Sequence, residues 1–215
     1  YLRESWDQQQ PATVPVTIDP IFPRDAPKRD RVDFERTIRF ESTADWIDAP
    51  RQVLLMHRGR RFSIEVDPTG LEPGVHFGEV LGFDAASSES GPLFRVPVTV
   101  CRPIELTADN EWTRTERRTY EPGEVRRWFI DVPDGATWID VELERLDESS
   151  PKRLIVHATQ LLPDRPYTDT NLRRYISFDD DARSLVSIPA FGGRTMELTI
   201  AQYWSSLGQG TFDVT

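Results

Sequence analysis

Cysteine is almost missing from this 215-residue chain: Cys101 is the only one, so no disulfide can close within it. That excludes a disulfide-stapled secreted scaffold and permits a reducing compartment without demonstrating one. Histidine is scarce too. His57, His76 and His157 lie far apart, and none has a second histidine or a cysteine at metal-ligand spacing. No apolar run approaches the ~20 residues that cross a bilayer. Positive charge is in deficit, with 26 basic against 36 acidic residues and a formal charge of −10. A phosphate backbone needs a basic face, so this balance argues against nucleic acid, and against an anionic membrane surface as well. The chain opens at Tyr1 without a Met, a basic n-region or an apolar h-region, and reads as a piece of something longer.

What the chain does have is short alternating runs between strong turn signals. In the first half Val14, Val16 and Ile18 alternate. So do Phe62, Ile64 and Val66, and then Phe94, Val96, Val98 and Val100. Val32, Phe34, Ile38 and Phe40 fall on one side of a strand, and Val53 to Met56 is a further short run. Val75 to Phe83 is another, in which Gly78 and Gly82 mark a bulge or a close backbone approach. Pro97 cannot donate to a ladder, which places its strand at an edge or at a bulge. Arg24 to Asp30 reads as a solvated loop, and Leu2 to Gln10 as a linker or ordered arm. About seven strands with no convincing helix give an immunoglobulin-like sandwich over residues 1–102.

The second half, 103–215, is organised around Tyr120 to Leu143. Pro122-Gly123 suits a type II turn, and Pro133-Asp134-Gly135 closes the next run in the same chemistry. Val125 to Val132 is β-branched and aromatic, and Ile139, Val141 and Leu143 alternate with Asp140 and Glu142. These read as two antiparallel strands at the heart of a sandwich. Leu154 to Leu162, Leu172 to Phe178, Val186 with Ile188, Met196 to Ile200 and Thr211 to Thr215 follow as strands. Eight or so strands with long connections suit a jelly roll. The fold class is therefore all-β, two β-sandwiches in tandem.

Each residue that could carry chemistry has a plainer role open to it. His157 sits among apolar residues, as a packed histidine does, and Cys101 ends an apolar strand as a small covered side chain. Asp179-Asp180-Asp181 lacks the alternating ligands and glycine of a calcium loop. There is no G-x-S-x-G elbow and no phosphate-cradling glycine loop, and Ser205-Ser206 reads as a polar turn. Glu142 and Glu144 share a strand face as ordinary outward acids, although a glycosidase pair can be distant in sequence. Trp112, Trp128, Trp138 and Trp204 favour core or domain-interface packing over ligand stacking. No catalytic, cofactor-binding or metal residue is assigned.

Several collinear blocks carry a family likeness. They are Ile64-Glu65-Val66-Asp67-Pro68, Gly74-Val75-His76, Gly91 to Thr99, Pro122 to Arg127, Val132 to Trp138, His157-Ala158, Ile200-Ala201 and Trp204-Ser205-Ser206-Leu207. In these blocks the chain resembles the middle region of the tripeptidyl peptidase II family, giant subtilisin-like serine peptidases. The resemblance implies an immunoglobulin-like domain followed by a galactose-binding-like jelly roll. It implies a parent enzyme that removes tripeptides from free N-termini in the cytoplasm and assembles into a large homo-oligomer. The partners it implies are an upstream catalytic domain of the same chain and neighbouring subunits. The family's Asp, His and Ser motifs are not among these residues, so no catalytic residue carries over. The competing reading is a carbohydrate-binding module of an exported hydrolase.

Overall fold

The computed structural model describes residues 1–147, 152–179 and 181–215. They form two compact units, Tyr1–Arg102 and Pro103–Thr215, each built almost wholly from strands.

The first unit holds β1 (Ala12–Ile18), β2 (Glu35–Ser42), β3 (Ile47–Asp48), β4 (Gln52–Met56), β5 (Arg60–Val66), β6 (Gly74–Asp84) and β7 (Phe94–Arg102). One sheet runs β1-β5-β3 and the other β4-β2-β6-β7, all pairs antiparallel. Alternation does the sorting: Phe62, Ile64 and Val66 turn inward from β5 to meet Ile38, Phe40, Val80 and Val98, and water is excluded from all seven. Pro97 lies on the edge strand β7, where its missing N–H breaks no sheet. The arm before β1 covers part of that edge, with Leu2 bridged to Val100 and Gln8 Nε2 donating to the Cys101 carbonyl at 2.8 Å. Gly78 and Gly82 permit close approach, since a Cβ on Gly82 would stand 2.3 Å from the Phe94 ring.

The Arg24–Asp30 loop gives way to a single helical turn, α1 (Lys28–Val32), and Val32 is half exposed on it instead of starting a strand. The segment's apolar residues are too few to show a helical period. The turn is held by polar bonds that alternation does not report: Asp33 N–H to the Arg29 carbonyl at 2.8 Å, and Arg31 Nη2 to the carbonyls of Pro23 and Arg24.

The second unit comprises β8 (Ile104–Glu105), β9 (Glu116–Tyr120), β10 (Val125–Asp131), β11 (Trp138–Arg145), β12 (Lys152–Gln160), β13 (Leu172–Phe178), β14 (Arg183–Pro189), β15 (Thr195–Gln202) and β16 (Gly210–Val214). Its sheets run β13-β12-β15-β10-β8 and β14-β11-β16-β9, the interleaved order of a jelly roll. The two strands at its heart are internal members of their sheets, but of opposite sheets. β10 pairs with β15 and β8, whereas β11 pairs with β14 and β16. Gly135, at φ +80, turns the chain from one layer to the other. Between the layers Tyr120, Leu143, Leu154, Phe178, Ile200 and Phe212 are fully buried. β9 gives no alternation signal, because Glu116-Arg117-Arg118-Thr119 buries too little to alternate.

Candidate functional site

The outward face of the β14-β11-β16-β9 sheet carries a groove of about 700 Å3. Its floor follows from register. With Val141 and Leu143 turned into the core, Trp138, Asp140 and Glu142 on the same strand must point outward. Across β14 they face Pro189, Ser187 and Leu185, and the Ser187 hydroxyl donates to Asp140 Oδ1 at 2.6 Å. Trp138 is 58 % exposed and Leu185 62 %, so neither ring nor chain is spent on the core.

Trp112 forms part of the wall, from the loop before β9. That loop is tightly self-bonded. The Asn110 side chain accepts from the Thr107 N–H at 3.0 Å, and the Trp112 N–H reaches the Thr107 carbonyl at 2.8 Å. These bonds hold Glu111 and Trp112 at φ +55 and +59, a left-handed conformation that costs a non-glycine residue about 1 kcal/mol each. The result is an indole 55 % open to solvent. The turn Pro133-Asp134-Gly135 closes another part of the groove and is seated on Gly192, where a Cβ would come within 2.7 Å of the Gly135 nitrogen and the Pro133 oxygen.

The charge of the groove is one-sided. Asp134, Asp140 and Glu142 line it, and among the described residues lining it there is no lysine, arginine or histidine. Arg183 stands at its margin, bonded to Glu144 at 2.9 Å and 4.0 Å from Glu142. Beside it a smaller cavity of about 80 Å3 is lined by Trp128, Ile139 and Leu198, with Glu116 at its rim. Burial works against ionisation of Glu116, but hydrogen bonds from Arg114, the Trp128 indole and Arg118 outweigh it and hold the carboxyl below its ordinary value. Tyr120, wholly buried in the same sandwich, is pushed upward by desolvation, so its phenol stays neutral.

The other sheet displays a different chemistry. The Arg153 guanidinium lies over Tyr175 at 4.8 Å and over Tyr203 at 5.0 Å. Next to them the loop after β15 exposes Trp204 (72 %) and Leu207 (80 %). Its backbone is locked from beneath, where buried Lys152 donates to the Leu207 carbonyl at 2.7 Å and Gln202 Nε2 to that of Gly208 at 2.7 Å.

Of the four tryptophans read as core or domain-interface side chains, Trp128 packs on the core, while Trp112, Trp138 and Trp204 are exposed on the surface of the unit. Parity held the missing signal, because Trp138 shares its with Asp140 and Glu142. Ser206 is buried and accepts the Arg153 N–H at 3.0 Å, a structural use. His157 stands on the outward face of β12 with Asn171 Oδ1 at 2.5 Å, and His76 lies 2.7 Å from the Glu72 carbonyl. Cys101 is buried, with Sγ 3.6 Å from the Tyr1 hydroxyl. Glu142 joins the groove, while Glu144 pairs with Arg183. Of the acidic triplet, Asp179 and Asp181 are exposed and Asp180 lies outside the described residues. Among the described residues no group of three or more His, Cys, Asp or Glu is placed to hold a metal ion, and no helix is long and apolar enough to cross a membrane.

Residues 1–101 match the family model for the first Ig-like domain of tripeptidyl-peptidase II, and residues 120–208 match that for the TPPII galactose-binding domain-like region. The chain belongs to the tripeptidyl-peptidase II family. It is 34 % identical to tripeptidyl-peptidase 2 of Oryza sativa subsp. japonica over 96 % of its length, and 30 % identical to that of Drosophila melanogaster over 90 %. It spans about 15 % of such relatives, so it corresponds to one middle region of the family. A crystal structure of Tripeptidyl Peptidase 2 (TPP II) superposes with a TM-score of 0.85 and 29 % identity, over 99 % of this chain and 18 % of that one.

Proposed function

We propose that these two sandwiches are a non-catalytic structural and assembly segment of a subtilisin-type serine peptidase that releases tripeptides from peptide N-termini in the cytoplasm. The observation that carries this reading is the superposition of 99 % of the chain on a small part of a tripeptidyl peptidase chain. Exposed large apolar side chains of the second unit support it. Trp204 and Leu207 are open on the loop after β15, the kind of surface a neighbouring domain or subunit covers. In this reading the peptidase chemistry resides elsewhere in the parent chain, and these rigid sandwiches position and shield it. The isolated 215-residue chain should leave a tripeptidyl chromogenic substrate uncut. Turnover that survives purification and is blocked by a serine-reactive reagent would end the proposal.

A second reading, a carbohydrate-binding module of an exported hydrolase, is favoured by two exposed indoles lining one groove. A glycan that quenches tryptophan fluorescence saturably would establish it, and silence across a broad glycan panel would set it aside.

A further inference from the structure

We infer that the groove between Trp112 and Trp138 docks a peptide segment presenting an arginine side chain. Three properties of the groove select that occupant. Of its carboxylates, Asp134 and Asp140 face no basic residue among the described lining and Glu142 has only Arg183, 4.0 Å away at the margin, so an incoming cation meets net negative charge. Its two indoles are more than half exposed, and a guanidinium stacks on an indole face while still donating in-plane hydrogen bonds to carboxylates. Its volume, about 700 Å3, takes several residues of chain and not one small cation.

The groove is also built in advance. Asp140 is oriented by the Ser187 hydroxyl, Trp112 by the bonded loop that holds its backbone left-handed, and the Asp134 turn by its seat on Gly192. Little side-chain or backbone freedom is lost when such a site fills, which is what makes a surface groove a binding site. Arginine is preferred to lysine because its planar fork serves the ring and the carboxylates together, and an acidic or neutral segment gains neither interaction. The chain's overall negative charge steers cationic segments to it.

The test uses the full-length peptidase chain that contains these units and a blocked pentapeptide, acetyl-Gly-Arg-Gly-Arg-Gly-amide. One form carries fluorescein for anisotropy and the other a diazirine for cross-linking. Blocking both ends keeps the probe from acting as a substrate with a free N-terminus. The expected result is saturable binding that weakens with salt, with cross-links to Trp112 or Trp138. The pair D140N/E142Q should weaken binding about tenfold or more, and W138A by a comparable factor. Both changes lie on the outward face, and unchanged melting curves would show that the fold is intact. The inference is overturned by any of three results: binding that ignores both variants, equal competition by a glutamate pentapeptide or a glycan, or a groove already filled by the residues that follow Thr215. Tripeptidyl turnover by the same preparation is measured alongside. Its absence would count against the functional reading above and leave the groove's result standing.

Discussion

The two units solve one packing problem with different uses of their aromatic rings. In the first, Phe40 packs on Phe62 with centroids 4.5 Å apart and meets Phe94 at 6.1 Å, all within one core. In the second, Tyr120, Phe178 and Phe212 form a comparable cluster inside, and a second set of rings stands outside. The outer set is organised, with two indoles around an acidic groove on one sheet and two tyrosines around Arg153 on the other. Exposed apolar side chains of the first unit, such as Val75 and Phe77, simply sit side by side on β6. What separates the two cases is position along the strand: a ring with inward parity fills a core, and a ring with outward parity is available to a partner.

The largest expected effects test whether the two cores are separate. Ile38 and Leu143 are fully buried, one in each unit, and truncating either to alanine should cost about 2–5 kcal/mol. Hydrogen exchange should then quicken within residues 1–102 for Ile38→Ala and within 103–215 for Leu143→Ala. Equal loosening of both halves by either change would join what is here kept apart.

A smaller effect is expected at Gly192. Its added methyl would meet backbone atoms of the Pro133–Gly135 turn, which cannot swing aside as a side chain can. Gly192→Ala should cost about 1–3 kcal/mol in chemical denaturation and disturb the Asp134 wall of the groove. A variant as stable as the parent would show that the turn is not seated as described. Gly91, which has nothing within 4 Å of its Cβ position but a φ of +85, serves as a comparison in the first unit. There only backbone strain, and no collision, should register.

Next comes Glu116, whose carboxyl is held below the ordinary glutamate value of 4.5. A depressed carboxyl favours the folded state above its unfolded pKa, and that contribution is lost as pH falls through the lower, folded value. Glu116→Gln should therefore destabilise by roughly 1 kcal/mol at neutral pH, with the gap to the parent closing as the solution is acidified below 4.5. A gap that stays constant with pH would mean the ionised form is not what the arginines and the indole hold. The smallest effect belongs to Arg117, whose two nitrogens bond Asp213 at 2.8 and 2.9 Å on an open surface. Arg117→Ala should shift the melting midpoint little, and high salt should erase the shift.

Much of the fold can be read from alternation alone, because most strands have one face in water and one in a core. β5, β7, β11 and β15 are of this kind, and the tight glycines of β6 and the edge position of Pro97 follow from backbone chemistry. What alternation cannot supply is the choice of partner. β10 and β11 are neighbours in sequence yet belong to opposite sheets, since each finds its hydrogen bonds with strands far along the chain. Elements held by polar bonds, such as α1 and β9, are equally silent. The groove was legible only in part. The parity of Trp138 was there to be read, but Trp112 reaches the same groove through a loop whose left-handed backbone has no hydrophobic signature.

The N-terminal arm has a consequence of its own. Leu2 exchanges hydrogen bonds with Thr99 and Cys101 of β7, and Gln8 clasps the Cys101 carbonyl, so the chain's only thiol lies sealed beneath its first residues. A thiol reagent can gain entry no faster than that seal lifts. Alkylation of Cys101 is accordingly a clock for the peeling of the arm, readable at a single atom in a molecule with no other sulfhydryl to confuse it.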